Sequence, residues 1–143
     1  MFGFFKKKKN KDFTIEKSVR ETLLRTSQMM ALSLQMTQSS KDYETKLNSA
    51  FCRGYIFGFF DAALQYSEAN FENDDQFASA LVFGHMALFG KDQGFKYFVE
   101  SNGLQDDANF QNGRSVGGNE YFEYINGKIK GPYRIQDYIF NSN

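Results

Sequence analysis

The sequence predicts a mainly α fold: a compact bundle of about four helices with a small C-terminal β-hairpin, α+β being the alternative. Two features predict the helices. Apolar residues recur at helical period across residues 14–38 with no Gly or Pro among them, and residues 50–66, AFCRGYIFGFFDAALQY, are apolar on every side of a helix. The hairpin rests on a third, Asn126-Gly127 set between two short runs rich in aromatic and branched residues.

One domain is expected from 143 residues, and a chain of this length buries roughly 70% of its unfolded surface without help from a metal or disulfide. The 17 Phe and 8 Tyr supply a large apolar payload to a chain that is otherwise polar on average. We divide the chain into a flexible aromatic and lysine tail (1–12) and a single domain (13–143). Within the domain, helices fill 13–103, a loop fills 104–119, and a hairpin with a short terminal helix fills 120–143.

The first helix opens near Thr14, which reads as an N-cap, with Glu16 and Glu21 favourably placed in its early turns. Ile15, Val19, Leu23, Met30 and Leu34 mark its buried stripe. Ser39, Ser40 and Asp42 break the chain and cap a second, long helix that runs from Tyr43 through the apolar segment. Residues 70–76 turn into a third helix, from about Asp74 to Phe89, and KDQGFKYFVESNG forms a fourth that stops at Gly103. Asn-Gly and Gly-Gly pairs place a loop over 102–119. Tyr121–Ile125 and Lys128–Lys130 then pair across Asn126-Gly127, and Arg134–Phe140 closes as one or two helical turns.

Ala50, Gly54, Gly58 and Ala62 stand four apart and leave a stripe where another backbone comes close; Ala80 and Gly84, with Ala87, are the predicted counterpart on the third helix. A helix that is apolar all round must be covered all round. Burial at the centre of the bundle is favoured over a homodimer face, and both over membrane contact.

Charge narrows the function classes. The net charge is zero, yet without the five lysines of residues 1–11 the chain holds 12 basic against 17 acidic side chains. A body this acidic makes nucleic acid a poor partner. The tail offers Lys6, Lys7, Lys8 and Lys9 to an anionic membrane surface, a reading ranked below that of a solvated terminus. A single cysteine, Cys52, and no secretory signal pattern point to the cytoplasm.

No catalytic set emerges. His85 is the only histidine, so no metal site and no cofactor are expected, and Cys52 lies in an apolar run where a thiolate is disfavoured. The Gly84–Asp92 stretch misses the phosphate-loop pattern by spacing and by its final residue, and Asp107–Glu120 places glycine seventh where a calcium loop needs it sixth. Arg53, Tyr55, Asp61 and His85 are the candidates for a polar pocket between the second and third helices. The structural alternative, that Arg53 reaches the surface and Asp61 pairs across helices, is preferred.

YFEYINGKIKGPYRIQDYI, residues 121–139, resembles the opening of the short GYF-type domains, in which an aromatic strand, a turn, a Gly-Pro-aromatic step and a helix follow one another. The resemblance implies a module that binds proline-rich peptides. It covers about 20 residues and lacks that pattern's leading Trp, so the segment is read as a hairpin with common turn chemistry. The expected function is a non-enzymatic protein-interaction or accessory role, as a homodimer. The alternative is a small-ligand binder using the pocket of Arg53, Tyr55, Asp61 and His85.

Overall fold

The computed structural model describes residues 15–141, and these form seven helices. They are α1 (Lys17–Gln35), α2 (Tyr43–Leu47), α3 (Ala50–Tyr66), α4 (Asp74–Phe89), α5 (Lys91–Asn102), α6 (Ala108–Ile125) and α7 (Arg134–Asn141). The tail of residues 1–12, with Lys6, Lys7, Lys8 and Lys9, and the cap at Thr14 lie outside the described residues.

Helix α3 is the axis of the bundle. Tyr55, Ile56, Phe59 and Phe60 are completely buried, and Cys52 through Phe60 are buried without interruption. Central burial within one chain therefore accounts for the all-round apolar pattern. The long second helix of the sequence reading is two helices, because Ser49 starts afresh: its hydroxyl accepts from the Cys52 N–H at 3.2 Å. Helix α4 starts similarly, Asn73 accepting from the Gln76 N–H at 2.9 Å while the Gln76 side chain accepts from the Glu72 N–H at 2.8 Å.

The C-terminal third departs from expectation. No strand is present among the described residues; most of the expected loop and the whole first arm of the expected hairpin lie in α6. The Asn126-Gly127 pair is a helix stop. Gly127 has φ 78°, its N–H reaches the Tyr124 carbonyl at 3.0 Å, and the Lys128 N–H reaches the Glu123 carbonyl at 2.9 Å, which is a Schellman cap. Asn126, at φ −87°, lacks the positive φ that a type I′ turn requires. The resemblance to GYF-type domains therefore has no strand to rest on.

Why α6 forms at all is a question of packing, since Asn109, Asn112, Gly113, Gly117, Gly118 and Asn119 are poor helix formers. Asp107 caps it, accepting from the N–H groups of Asn109 and Phe110 at 2.8 and 3.0 Å. Gly113 and Gly117 let it press against α3. A Cβ at either would overlap the carbonyl of Phe51 or of Tyr55, just as one at Gly54 or Gly58 would overlap that of Phe110 or Arg114. The small-residue stripe is thus a close helix crossing, but its partner is α6. Ala80 and Gly84 are buried on α4, where the atoms nearest a Cβ on Gly84 would be those of the Phe60 ring, and Ala87 is exposed.

Around this pair, α4 packs on α1 and α5, while α7 lies against α1, α2 and α6.

Candidate functional site

The four polar residues singled out from the sequence do not meet. Arg53, in the first turn of α3, points toward α5. Its five N–H groups are all used: Nε on the Asn48 carbonyl (2.9 Å), Nη1 on the Tyr97 carbonyl (3.0 Å) and Ser101 Oγ (3.3 Å), and Nη2 on Asn48 Oδ1 (2.8 Å) and Glu100 Oε1 (2.9 Å). The guanidinium also lies 4.3 Å from the centre of the Tyr97 ring. At 6% exposure Arg53 does not reach the surface as expected; it is a buried cross-link between α3 and α5, with no donor left for an anion.

His85 sits among the rings of Phe57, Phe60, Tyr97 and Phe98, with centroids 5.3–6.4 Å away. Its Nδ1 lies 2.8 Å from the Leu81 carbonyl, which can only accept, so Nδ1 carries the proton and Nε2 holds a lone pair. That Nε2 has no hydrogen-bond partner among the described residues. Burial pushes the imidazole pKa down to about 4, which keeps the ring neutral.

Tyr55 turns the other way, to Glu120 of α6. Glu120 is 2% exposed, and its Oε1 accepts from the Tyr55 hydroxyl and from the N–H groups of Tyr133 (3.1 Å) and Arg134 (3.0 Å). Burial, reinforced by this bond to Glu120, raises the Tyr55 pKa. The carboxyl thereby caps α7. At the far end of α7 the Ile139 carbonyl accepts from Lys46 Nζ (2.8 Å) and Ser40 Oγ (3.1 Å). A carboxyl at the N-terminus and an ammonium at the C-terminus match the helix dipole. Glu120→Gln keeps the shape and loses the charge-assisted bonds. It should cost about 2 kcal/mol in urea unfolding, and an unchanged midpoint would show that α7 does not depend on this group.

Asp61 accepts from Arg114 Nη2 at 2.9 Å across the α3–α6 crossing, and the Arg114 guanidinium lies 4.9 Å from the centre of the Phe57 ring. The expected inter-helix partner for Asp61 is therefore present, but on α6. The four candidates face α5, the aromatic core and two stretches of α6, so their polar groups are directed to different partners. Cys52 is fully buried and its thiol is pushed up to about 12 by burial, which disfavours a thiolate.

Glu120 and Arg114 are not legible as site residues in the sequence, because their segment reads locally as loop and hairpin. The signal was there: Gly113 and Gly117 repeat the spacing of Gly54 and Gly58.

Two surface features remain. From Gln76 to Gly90 helix α4 and its end carry no Asp, Glu, Lys or Arg, yet Val82, Phe83, Met86, Leu88 and Phe89 are only partly covered. Separately, a groove of about 480 Å³ runs between α1 and the end of α6, with Met29, Leu32, Tyr66, Tyr121, Tyr124 and Ile125 among its walls and Arg25 and Lys130 at its sides. No group of three His, Cys, Asp or Glu among the described residues is arranged to hold a metal, and no helix among them is long and apolar enough to cross a membrane. Comparison of this chain with protein families, with characterised proteins and with solved structures finds no match.

Proposed function

We propose that this chain is a non-enzymatic protein-interaction protein of the cytoplasm that acts as a homodimer through the outer side of α4. The observation that carries this reading is the surface of that helix from Gln76 onward, which bears no charged side chain although Val82, Phe83, Met86, Leu88 and Phe89 keep partial contact with solvent. A helix facing only water ordinarily displays charged side chains outward, and an exposed apolar surface ordinarily marks an interface. A second copy fits because paired identical faces closed by a two-fold axis are the commonest assembly, and a chain of zero net charge does not repel its copy.

The ionisable groups inside the bundle favour a structural role. Arg53 and Glu120 are engaged by their neighbours, the His85 ring is held neutral among aromatics, and the Cys52 thiol is held protonated. The four residues of the ligand-pocket alternative are directed to different partners, which favours the structural reading.

Light scattering on the eluting protein tests the proposal. The wild-type chain should run at twice its single-chain mass at micromolar concentration. Met86→Lys, at a side chain not packed into the core cluster, should run at the single-chain mass with little change in melting temperature. A wild-type chain that stays single at the highest soluble concentration overturns the homodimer.

A further inference from the structure

We infer that the groove between α1 and the end of α6 docks an acidic peptide segment of a partner protein, one that carries aromatic side chains beside its carboxylates. The walls fit such a segment. Met29, Tyr66, Tyr121 and Tyr124, with Arg25, are the residue types that concentrate in the energetic centres of interfaces. Tyr66 and Leu32 stand open at 55% and 63% exposure, while Tyr121 is buried at the base. Tyr121 and Tyr66 face each other edge to face, 6.3 Å between ring centres, which leaves aromatic surface for a third ring.

Charge selects the partner. Arg25 on α1 and Lys130 beyond α6 are both exposed, and neither forms an ion pair among the described residues. None of the residues lining the groove is acidic. This is a local inversion, because residues 15–141 hold 12 basic and 16 acidic side chains once five lysines and Asp12 are set aside. Two unpaired cations flanking an apolar floor complement carboxylates spaced around apolar side chains. The same charges oppose the lysine-rich residues 6–11 of the chain itself as occupant.

The inference stands apart from the homodimer reading, since Phe83 and Met86 line no part of this groove. Fluorescence anisotropy of a labelled peptide in which glutamates flank two phenylalanines, titrated with the full chain, tests it. Saturable binding that weakens with added salt is expected, because exposed charges are screened within about 10 Å at 0.1 M salt. Arg25→Glu combined with Lys130→Glu should weaken binding roughly tenfold or more with the melting temperature retained. Lys128→Glu, exposed in the same turn but outside the groove, should leave it unchanged. Met86→Lys should also bind the peptide normally whether or not it alters the oligomeric state. Absence of binding, equal binding of a peptide with lysines for the glutamates, or equal binding by the charge-reversed chain overturns the inference. Attachment to phosphatidylserine vesicles with no peptide binding would overturn it as well, by assigning the cations to a membrane surface.

Discussion

Gly58→Leu should lower the melting temperature by about 10 °C or more, or prevent folding. The Cβ alone would overlap the Arg114 carbonyl, and leucine would drive three further carbons into the backbone of α6. Overpacking against movable side chains costs about 1–3 kcal/mol. Here the obstacle is main chain, so the cost lies at or above the top of that range. For a domain of this size each kcal/mol moves the midpoint by roughly 3 °C. Gly117→Ala, meeting the Tyr55 carbonyl from the other side, should be strongly destabilising too. The pair should combine less than additively, because either change already forces the helices apart. Gly131→Ala provides the control: nothing lies within 4 Å of its added carbon. Calorimetric melting that ranks Gly58→Leu beside Gly131→Ala would mean that α3 and α6 do not cross this closely.

That crossing also explains what could be read from the residues and what could not. Helices α1, α4 and α5 declare themselves through apolar period and end signals, and the enclosure of α3 follows from its composition. Helix α6 does not, because its stability resides in a surface it shares with α3 and not in its own propensities. Asn-Gly and Gly-Gly mean flexibility when judged locally, yet Gly113 and Gly117 are where two main chains touch and Gly127 is where a helix stops. Glu120 and Arg114, the partners of Tyr55 and Asp61, both lie on this helix. The sequence thus locates the polar residues of the core but not their pairings. Those pairings divide the expected pocket into separate structural links.

Stability should fall by about 3 kcal/mol on acidification from neutral pH through this histidine alone, as the titration of His85 implies. The folded-state pKa is about 4 and the ordinary value is 6.5. Above 6.5 both folded and unfolded chains hold a neutral ring, and the full contribution is present. Between 6.5 and 4 the unfolded chain takes up a proton that the folded chain refuses, so stability drops by about 1.4 kcal/mol per pH unit over that window. Two groups near the ring bear on it. They are the Arg53 guanidinium on α3, which disfavours a second positive charge, and Tyr97 on α5, whose own pKa is raised by burial. His85→Phe should remove this contribution and relieve Nε2 of its unpartnered burial. Urea unfolding at about pH 7 and about pH 4.5 would then show the variant losing much less stability than the wild type, with the carboxylates common to both cancelling in the difference. Should the two proteins lose the same amount, His85 must already be protonated or solvated in the folded state. The aromatic enclosure around it would then be open, and α4 would be packed less tightly over α3 and α5 than its four ring contacts imply.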